Sequence, residues 1–178
     1  MSGRFIGENI RILYDILLYT ETNDIPGLIL LVDFEKAFDS VSHDFIMNVL
    51  DFFNFGESIK SWVKLFFDDA LSCVLVNGHM TKRFKVERGC RQGDPMSPYV
   101  FLLCSEILSL MVRTNNSING LDIQNYQYKI SQYADDTLLT LNGSVEELRK
   151  TLNILNEYAD VSGLKINKHK TKPMDRTI

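Results

Sequence analysis

The sequence of 178 residues contains little cysteine, no long apolar run and no excess of basic residues. Its three cysteines are odd in number and lack the spacing of metal ligands, so we expect reduced thiols and no disulfide framework. The longest apolar run, around Gly27–Val32, ends at Asp33 and is too short to cross a bilayer. The residues after Met1 do not form the apolar core of a signal peptide. These absences predict an intracellular protein that does not use a membrane, and they leave nucleus and cytoplasm open.

The charge is unevenly distributed along the chain. Lysine and arginine number 19 against 23 aspartate and glutamate residues, and the formal net charge of −4 argues mildly against nucleic-acid binding. Acidic residues crowd between Asp33 and Asp69. The last stretch is basic and contains Lys165, Lys168, Lys170, Lys172 and Arg176. A solvated tail explains this basic stretch as well as a binding surface does.

The order of apolar, capping and turn residues predicts helices and strands within one domain. A hydrophobic fraction of 45% is enough for a packed core. Helical spacing predicts helices over about residues 8–19, 42–53, 58–69, 99–111 and 144–162. Strand-like runs cover residues 28–32, 72–76, 81–86, 121–124, 127–133 and 137–141, with turns at Asn77-Gly78, Asn125 and Asn142-Gly143. Because several neighbouring strands are joined by hairpins, the expected fold class is α+β with mainly antiparallel pairing.

Several of these elements carry a more detailed prediction. The continuous apolar run Leu28–Val32 predicts a strand that is buried on both faces. Ser97 is expected to be the N-cap of the fourth helix, and Ser144 with Glu147 forms a capping box at the start of the fifth. Trp62, in the third helix, is expected to pack in the core.

Three acidic residues stand where predicted strands end or turn. Asp33 closes the strand over residues 28–32, and Asp135 and Asp136 occupy a predicted hairpin turn after Tyr133. Adjacent carboxylates repel each other unless a cation neutralises them, and carboxylate oxygens suit a hard divalent cation such as Mg²⁺. Taken separately, Asp33 is also compatible with a helix cap and the turn acids with a hairpin surface. Their joint occurrence, with a glycine-rich loop between them, favours a metal site.

The ordered motifs of the chain resemble the reverse transcriptases of LINE-type (non-LTR) retrotransposons. The resemblance is carried by Val32–Asp39 (Val-Asp-Phe-Glu-Lys-Ala-Phe-Asp), by the loop Arg88–Pro98 and by Tyr133–Asp136 (Tyr-Ala-Asp-Asp). Gly3–Arg11 and Ser162–Lys172 are similar to the segments that flank these motifs in the same family. The resemblance implies a right-hand polymerase palm, with an antiparallel sheet and helices packed on one face, plus a remnant of fingers. It further implies that residues 1–178 are one partial domain without the early fingers motifs, the primer grip and the thumb.

The same resemblance implies the activity of an RNA-directed DNA polymerase. Such an enzyme adds dNTPs to the 3′ end of a DNA primer on an RNA template by two-metal phosphoryl transfer. By resemblance, Asp33 and Asp135 bridge two Mg²⁺ ions, for which Mn²⁺ is a plausible substitute, and Asp136 supports them. The backbone carbonyl of Phe34 would bind one of the ions. Protein partners are left open.

The resemblance also assigns residues to nucleotide binding. These are Phe38, Arg91, Gln92, Gly93 and Lys170. The Phe38 ring would lie beneath the sugar and clash with a 2′-hydroxyl, which favours DNA as the product. Without the motif, the same residue would be interpreted as a core phenylalanine. Gln92 and Gly93 would lie near the incoming nucleotide and the template base, and Arg91 is either a phosphate contact or a solvated charge. Lys170 would lie near the triphosphate, with Lys168 and Lys172 as alternatives.

Two further interpretations are compatible with the sequence. One is a sister polymerase: an intron-encoded or retron-type reverse transcriptase, or an RNA-dependent RNA polymerase, against which Phe38 argues. The other is a truncated, catalytically inactive palm remnant with at most weak nucleic-acid binding, because the net charge is negative and binding relies on phosphate contacts.

Overall fold

The computed structural model describes residues 6–68, 70–90 and 93–175. Within these residues the helices are α1 (Ile6–Thr22), α2 (Ala37–Ser40), α3 (His43–Phe52), α4 (Glu57–Phe67), α5 (Ser97–Thr114) and α6 (Val145–Ser162). The strands are β1 (Leu28–Val32), β2 (Leu71–Ser72), β3 (Leu75–Val76), β4 (His79–Met80), β5 (Phe84–Lys85), β6 (Leu121–Ile123), β7 (Tyr126–Tyr128), β8 (Ile130–Tyr133), β9 (Asp136–Leu141) and β10 (Lys172–Asp175). Among the described residues, none of the helices combines the length and the apolar character that a membrane crossing requires.

A four-stranded sheet in the order β10-β1-β9-β8 lies at the centre of the fold. All its strand pairs are antiparallel, which confirms the predicted α+β class. The register between β1 and β9 runs from Leu28 opposite Leu141 to Val32 opposite Thr137. Three two-stranded ladders, β2-β5, β3-β4 and β6-β7, lie outside this sheet. The end of β1 is therefore held directly beside the start of β9.

The two faces of the sheet are covered differently. Leu28, Leu30 and Val32 belong to the buried core together with residues of α3, α5 and α6, as predicted for helices packed on one face. Leu31 points to the other face, where α1 lies, and it is 39% exposed. The prediction that β1 is buried on both faces is therefore wrong at Leu31, because α1 leaves a cavity over this part of the sheet.

The capping residues decide where several helices begin and end. The Ser144 hydroxyl accepts a hydrogen bond from the Glu147 amide at 3.2 Å, which confirms the predicted start of α6. Gly163, with a φ of 78°, ends the same helix. The prediction that Ser97 caps α5 is wrong: the N-cap is Met96, whose amide donates to the Asp94 carboxylate at 2.8 Å. Ser97 is instead a buried residue of the first turn.

Two predictions about apolar and strand residues need correction. Trp62 is 69% exposed rather than buried, because α4 turns Val63 and not Trp62 toward the core. The predicted strand over residues 127–133 is divided at Lys129 into β7 and β8. The Lys129 ammonium donates hydrogen bonds to the carbonyls of Arg113 and Asn115 at the end of α5, and the chain passes here from a separate hairpin into the central sheet.

Candidate active site

Asp33 is the first residue after β1, and backbone hydrogen bonds fix it on one side. Its carbonyl accepts from the Asn167 amide at 2.8 Å, and its amide donates to the Thr171 hydroxyl at 3.3 Å. Phe34, the next residue, pairs with Ile166 in an isolated antiparallel bridge. The alternative that Asp33 caps a helix is not seen, since the N-cap of α2 is Lys36.

Asp135 and Asp136 lie in the predicted hairpin turn. Tyr133 pairs with Asp136 across β8 and β9, so Ala134 and Asp135 form a two-residue turn, and Ala134 has a φ of 54°. Because Val32 lies opposite Thr137, one further step of the same register places Asp33 beside Asp136. Strand pairing therefore brings together acids that are far apart in the sequence.

Asp33 and Asp136 line a common cavity of about 510 Å³ between α1 and the sheet. Its walls are mostly apolar and include Leu13 and Ile16 of α1 and Leu138 of β9. Asp135 is exposed in the turn and does not line this cavity. Two of the three predicted carboxylates thus line one cavity, and the third lies in the adjoining turn.

The electrostatics of Asp136 reflect both its burial and the charges of Asp135 and Asp33. Partial burial raises the pKa of the Asp136 carboxyl above its ordinary value of 3.8, and the negative charges of Asp135 and Asp33 raise it further. A cation placed among these acids would oppose this shift. Across the described part of the chain, no three side chains of His, Cys, Asp or Glu are grouped so that they alone hold a metal ion. A divalent cation here would take further oxygen ligands from a phosphate-bearing substrate, as Mg²⁺ commonly does.

Of Lys168, Lys170 and Lys172, Lys170 is the lysine whose ammonium group approaches Asp33. Its ammonium nitrogen lies 3.8 Å from the Asp33 carboxylate. The preceding turn is held by Asn167, whose side-chain oxygen accepts from the Lys170 amide at 3.2 Å. Lys172 lies in β10, opposite Leu31, and Lys168 lines a different cavity. The structure therefore brings Lys170 to the acids.

A second cavity, of about 730 Å³, also borders Asp33 and Lys170. Its lining is more polar and carries charges of both signs. The basic residues are Lys36, Arg88, Lys165 and Lys170, and the acidic residues are Asp33, Glu35 and Asp39. Asp33 and Lys170 line both cavities. Among the candidate carboxylate ligands, Asp33 consequently borders both an apolar cavity and a more polar, charged one. Sequence reasoning gave Lys36 no site role and named Lys165 only as part of the basic stretch, because neither differs locally from a solvated surface lysine.

Besides Lys170, the predicted nucleotide-binding residues are Phe38, Arg91, Gln92 and Gly93. Phe38 is half-buried, and its ring stacks on that of Phe101 with centroids 4.3 Å apart. Gly93 has a φ of 86°, which favours glycine, although a Cβ there would meet no atom within 4 Å. Arg91 and Gln92 lie outside the described residues. Sequence reasoning missed Phe101, because an apolar residue within a helix signals burial and does not reveal its partner.

Comparison with known proteins agrees with this architecture. Residues 15–178 match the family model "Reverse transcriptase (RNA-dependent DNA polymerase)". The chain is 29% identical over 169 residues to the Transposon TX1 uncharacterized 149 kDa protein of Xenopus laevis, covering 94% of this chain and 13% of that protein. It is 31% identical over 142 residues to the Retrovirus-related Pol polyprotein from the type-2 retrotransposable element R2DM of Drosophila melanogaster, covering 78% of this chain and 13% of that protein. Both relatives belong to non-LTR retrotransposons.

Solved structures show the same fold at lower identity. Telomerase of Candida albicans, solved with a fragment of telomeric RNA, superimposes with a TM-score of 0.70 at 15% identity, covering 98% of this chain and 31% of that one. Apo telomerase of Candida tropicalis gives a TM-score of 0.67 at 14% identity, covering 93% and 32%. The chain thus spans about a third of these structures and 13% of the two retrotransposon proteins. Since the family model matches nearly the whole chain, the protein belongs to the reverse transcriptase (RNA-dependent DNA polymerase) family.

Proposed function

We propose that this chain carries the catalytic palm of an RNA-directed DNA polymerase. It would add dNTPs to the 3′ end of a DNA primer that is paired with an RNA template. The observation that carries this proposal is the register of β1 and β9, which sets Asp33 beside Asp136 next to the Asp135 turn. We assign residues 1–178 to one reverse transcriptase domain that consists of palm and part of the fingers.

The acidic group is proposed to hold two Mg²⁺ ions, with Mn²⁺ as a possible substitute. Asp33, Asp135, Asp136 and the Phe34 carbonyl would supply hard oxygen ligands. The negative charges of Asp135 and Asp33, which after burial help to raise the pKa of Asp136, support placing positive charge there. When bound, such ions lower the pKa of the primer 3′-hydroxyl and neutralise the triphosphate and the departing pyrophosphate. The fixed backbone of Asp33 keeps its carboxylate at the end of β1.

The more polar cavity beside Asp33 is proposed to receive the triphosphate. The four cations of its lining, Lys36, Arg88, Lys165 and Lys170, outnumber its three carboxylates, which include Asp33. A polyphosphate in this cavity could therefore contact cations and remain close to Asp33. Lys170 would place its ammonium near the leaving pyrophosphate, where positive charge stabilises the developing negative charge. The triphosphate end of the nucleotide is thereby assigned to the more polar of the two cavities.

The sugar and base would meet residues near the beginning of α2 and α5. Phe38 is proposed to exclude a 2′-hydroxyl by steric clash and to offer it no hydrogen-bond partner. Gln92 and Gly93 are proposed to approach the incoming nucleotide and the template base, and Arg91 a phosphate. Phe38 thereby selects dNTPs, and the RNA template and DNA primer are the proposed macromolecular partners.

Primer extension on an RNA template tests this function directly. The purified chain is supplied with a DNA primer, Mg²⁺ and either dNTPs or rNTPs, beside an Asp135→Asn variant. We expect dNTP incorporation that EDTA abolishes and that Asp135→Asn lowers at least about a hundredfold, because a metal ligand is worth several kcal/mol in the transition state. Asp160→Asn, which changes an exposed acid of α6, is the matched control and should retain activity.

The result separates the proposed polymerase from the inactive remnant. Equal activity in wild type and Asp135→Asn would refute the metal-ligand assignment. Incorporation of rNTPs in place of dNTPs would indicate an RNA polymerase. If neither protein incorporates nucleotides while both bind the labelled template-primer, the chain is an inactive nucleic-acid-binding remnant, and the proposed activity is wrong.

A further inference from the structure

The ring of Phe38 stacks on a second aromatic ring, that of Phe101. Phe101 lies on α5, four residues after Ser97, and only 3% of it is exposed. The two ring centroids are 4.3 Å apart and the ring planes are inclined by 25°, which is a stacked arrangement. Phe38 is half-buried, so it is the member of the pair that is reachable from solvent.

The backbone of Phe38 is fixed independently of its ring. The Phe38 carbonyl accepts a hydrogen bond from the Cys90 amide at 2.6 Å, and the Gly89 amide donates to the Val41 carbonyl at 2.8 Å. Gly89 has a φ of 88°, and a Cβ at this position would lie 2.7 Å from the Asp39 carbonyl oxygen. The backbone segments 38–41 and 89–90 therefore lie as close together as a glycine at position 89 permits. Residues 38–41 cannot shift further toward residues 89–90.

We propose that Phe101 is a positioning residue that sets the discrimination between dNTPs and rNTPs through Phe38. This inference rests on the proposed function, because it takes Phe38 as the residue beneath the sugar. Steric exclusion of a hydroxyl requires a side chain that cannot move away when the larger nucleotide enters. A phenylalanine whose ring is free rotates about its side-chain torsions at little cost, whereas a ring backed by a buried neighbour does not. Phe101 supplies this backing, and the Cys90 and Gly89 contacts hold the backbone.

Phe101→Leu tests the inference, since leucine keeps an apolar side chain but removes the flat surface behind Phe38. The readout is the ratio of kcat/KM for a dNTP to that for the matching rNTP in primer extension on RNA. We expect the ratio to fall about tenfold, mainly through faster use of the rNTP, because an apolar pocket without a fixed clash rejects an added hydroxyl only weakly.

Phe45→Leu is the matched control. Phe45 is also a buried core phenylalanine, but its ring meets Tyr158 in an edge contact with centroids 5.8 Å apart, and among the ring pairs of the described residues Phe38 is paired with Phe101 and not with Phe45. Both substitutions should lower the thermal midpoint, whereas Phe45→Leu should leave the nucleotide ratio within about twofold of wild type. A merely structural role of Phe101 predicts the same ratio in both variants, and that result would overturn the inference.

A double-substitution cycle shows whether Phe101 acts through Phe38. In a Phe38→Ala background, Phe101→Leu should produce no further fall in the ratio, because the ring that it positions is gone. An additional tenfold fall in this background would mean that Phe101 influences the sugar by another route, and the positioning role would be wrong.

An NMR measurement keeps the inference testable if the wild-type chain incorporates no nucleotide, a result that would count against the proposed function alone. The ring protons of Phe38, assigned with Phe38→Leu, should be shifted upfield by the stacked ring of Phe101. These shifts should be lost in Phe101→Leu and kept in Phe45→Leu. Identical Phe38 ring shifts in wild type and Phe101→Leu would show that Phe101 does not position the ring.

Discussion

The ammonium nitrogen of Lys170 lies 3.8 Å from a carboxylate oxygen of Asp33, and this contact joins the Asn167 turn to the end of β1. The Lys170 side chain is 71% exposed and that of Asp33 is 31% exposed. An ion pair in such a position contributes little to the free energy of unfolding, since water and salt screen it. Its contribution is therefore expected in activity and not in stability.

Lys170→Ala should lower the rate of dNTP incorporation about tenfold, because a cation is removed from the place where pyrophosphate gains charge. The free energy of unfolding should change by less than about 0.5 kcal/mol. Single-turnover primer extension and urea unfolding measure the two effects. Lys168→Ala is the control, since Lys168 is exposed and lines a different cavity.

Lys170→Arg distinguishes two roles for this residue. Arginine keeps the positive charge but does not give up a proton near neutral pH, so recovery of the rate in this variant would indicate an electrostatic role. No recovery, with a rate like that of the alanine variant, would favour proton donation to the leaving group. Unchanged activity in both variants would contradict the assignment of Lys170.

Phe38→Ala should relax the discrimination against rNTPs, by about tenfold or more, because the clash with the 2′-hydroxyl is removed. Use of dNTPs should change much less than use of rNTPs. The measurement is the kcat/KM ratio for each nucleotide pair in an active preparation. If the ratio stays at the wild-type value, Phe38 is only a core residue that packs on Phe101.

Local sequence signals predicted the parts of the site that depend on neighbouring residues. The bounds of β1 follow from an apolar run that Asp33 ends, and the Asp135 turn follows from two strand-like runs separated by three residues. Ser144 and Gly163 similarly mark the two ends of α6. Each of these signals acts over a few residues, so it can be read without knowledge of the fold.

The contacts between distant segments could not be predicted in the same way. The support of Asp33 by Asn167 and Thr171 depends on the placement of the segment before β10. The stacking of Phe38 on Phe101 depends on how α5 packs against the core. Trp62 shows the converse, because an aromatic residue at helical spacing was expected inside and lies outside. Packing, and not local pattern, decides these positions.

Glu147→Ala should destabilise the protein by about 2–3 kcal/mol. Glu147 is only 2% exposed, and its carboxylate accepts hydrogen bonds from the backbone amides of Asn119 and of Asn142, the latter at 3.2 Å. Its removal leaves both amides without this acceptor. Glu146→Ala is the control. The Glu146 side chain is 62% exposed and its ion pairs within the described part of the chain are with Arg149 and Lys150, so its loss should cost less than about 0.5 kcal/mol. Equal midpoints of urea unfolding for the two variants would contradict this account.

The cysteines should differ in reactivity because of burial. Burial raises the pKa of the Cys90 thiol from 9.0 to about 11, with a smaller effect from the charge of Asp94, and burial also raises the pKa of Cys104. At pH 8, roughly one Cys90 thiol in a thousand would be the reactive thiolate, and access is restricted as well. Iodoacetamide should therefore label exposed Cys73 first in the folded protein, as read by peptide mass spectrometry.

The same shift gives a pH dependence with a definite sign. The pKa of Cys90 is higher in the folded state than in the unfolded state. The stabilisation that this thiol contributes to the folded protein is therefore fully present below about pH 9 and is lost as the pH rises through about 11. Labelling of Cys90 should accordingly accelerate over this interval, both through thiolate formation and through more frequent unfolding. In urea at pH 8 the three thiols should react at similar rates, because burial no longer separates them.

Labelling of Cys90 as fast as Cys73 at pH 8 without urea would place the Cys90 thiol in solvent. In that case the backbone of residues 89–90 would not be held against residues 38–41, and the fixed position of Phe38 would lose one of its two supports.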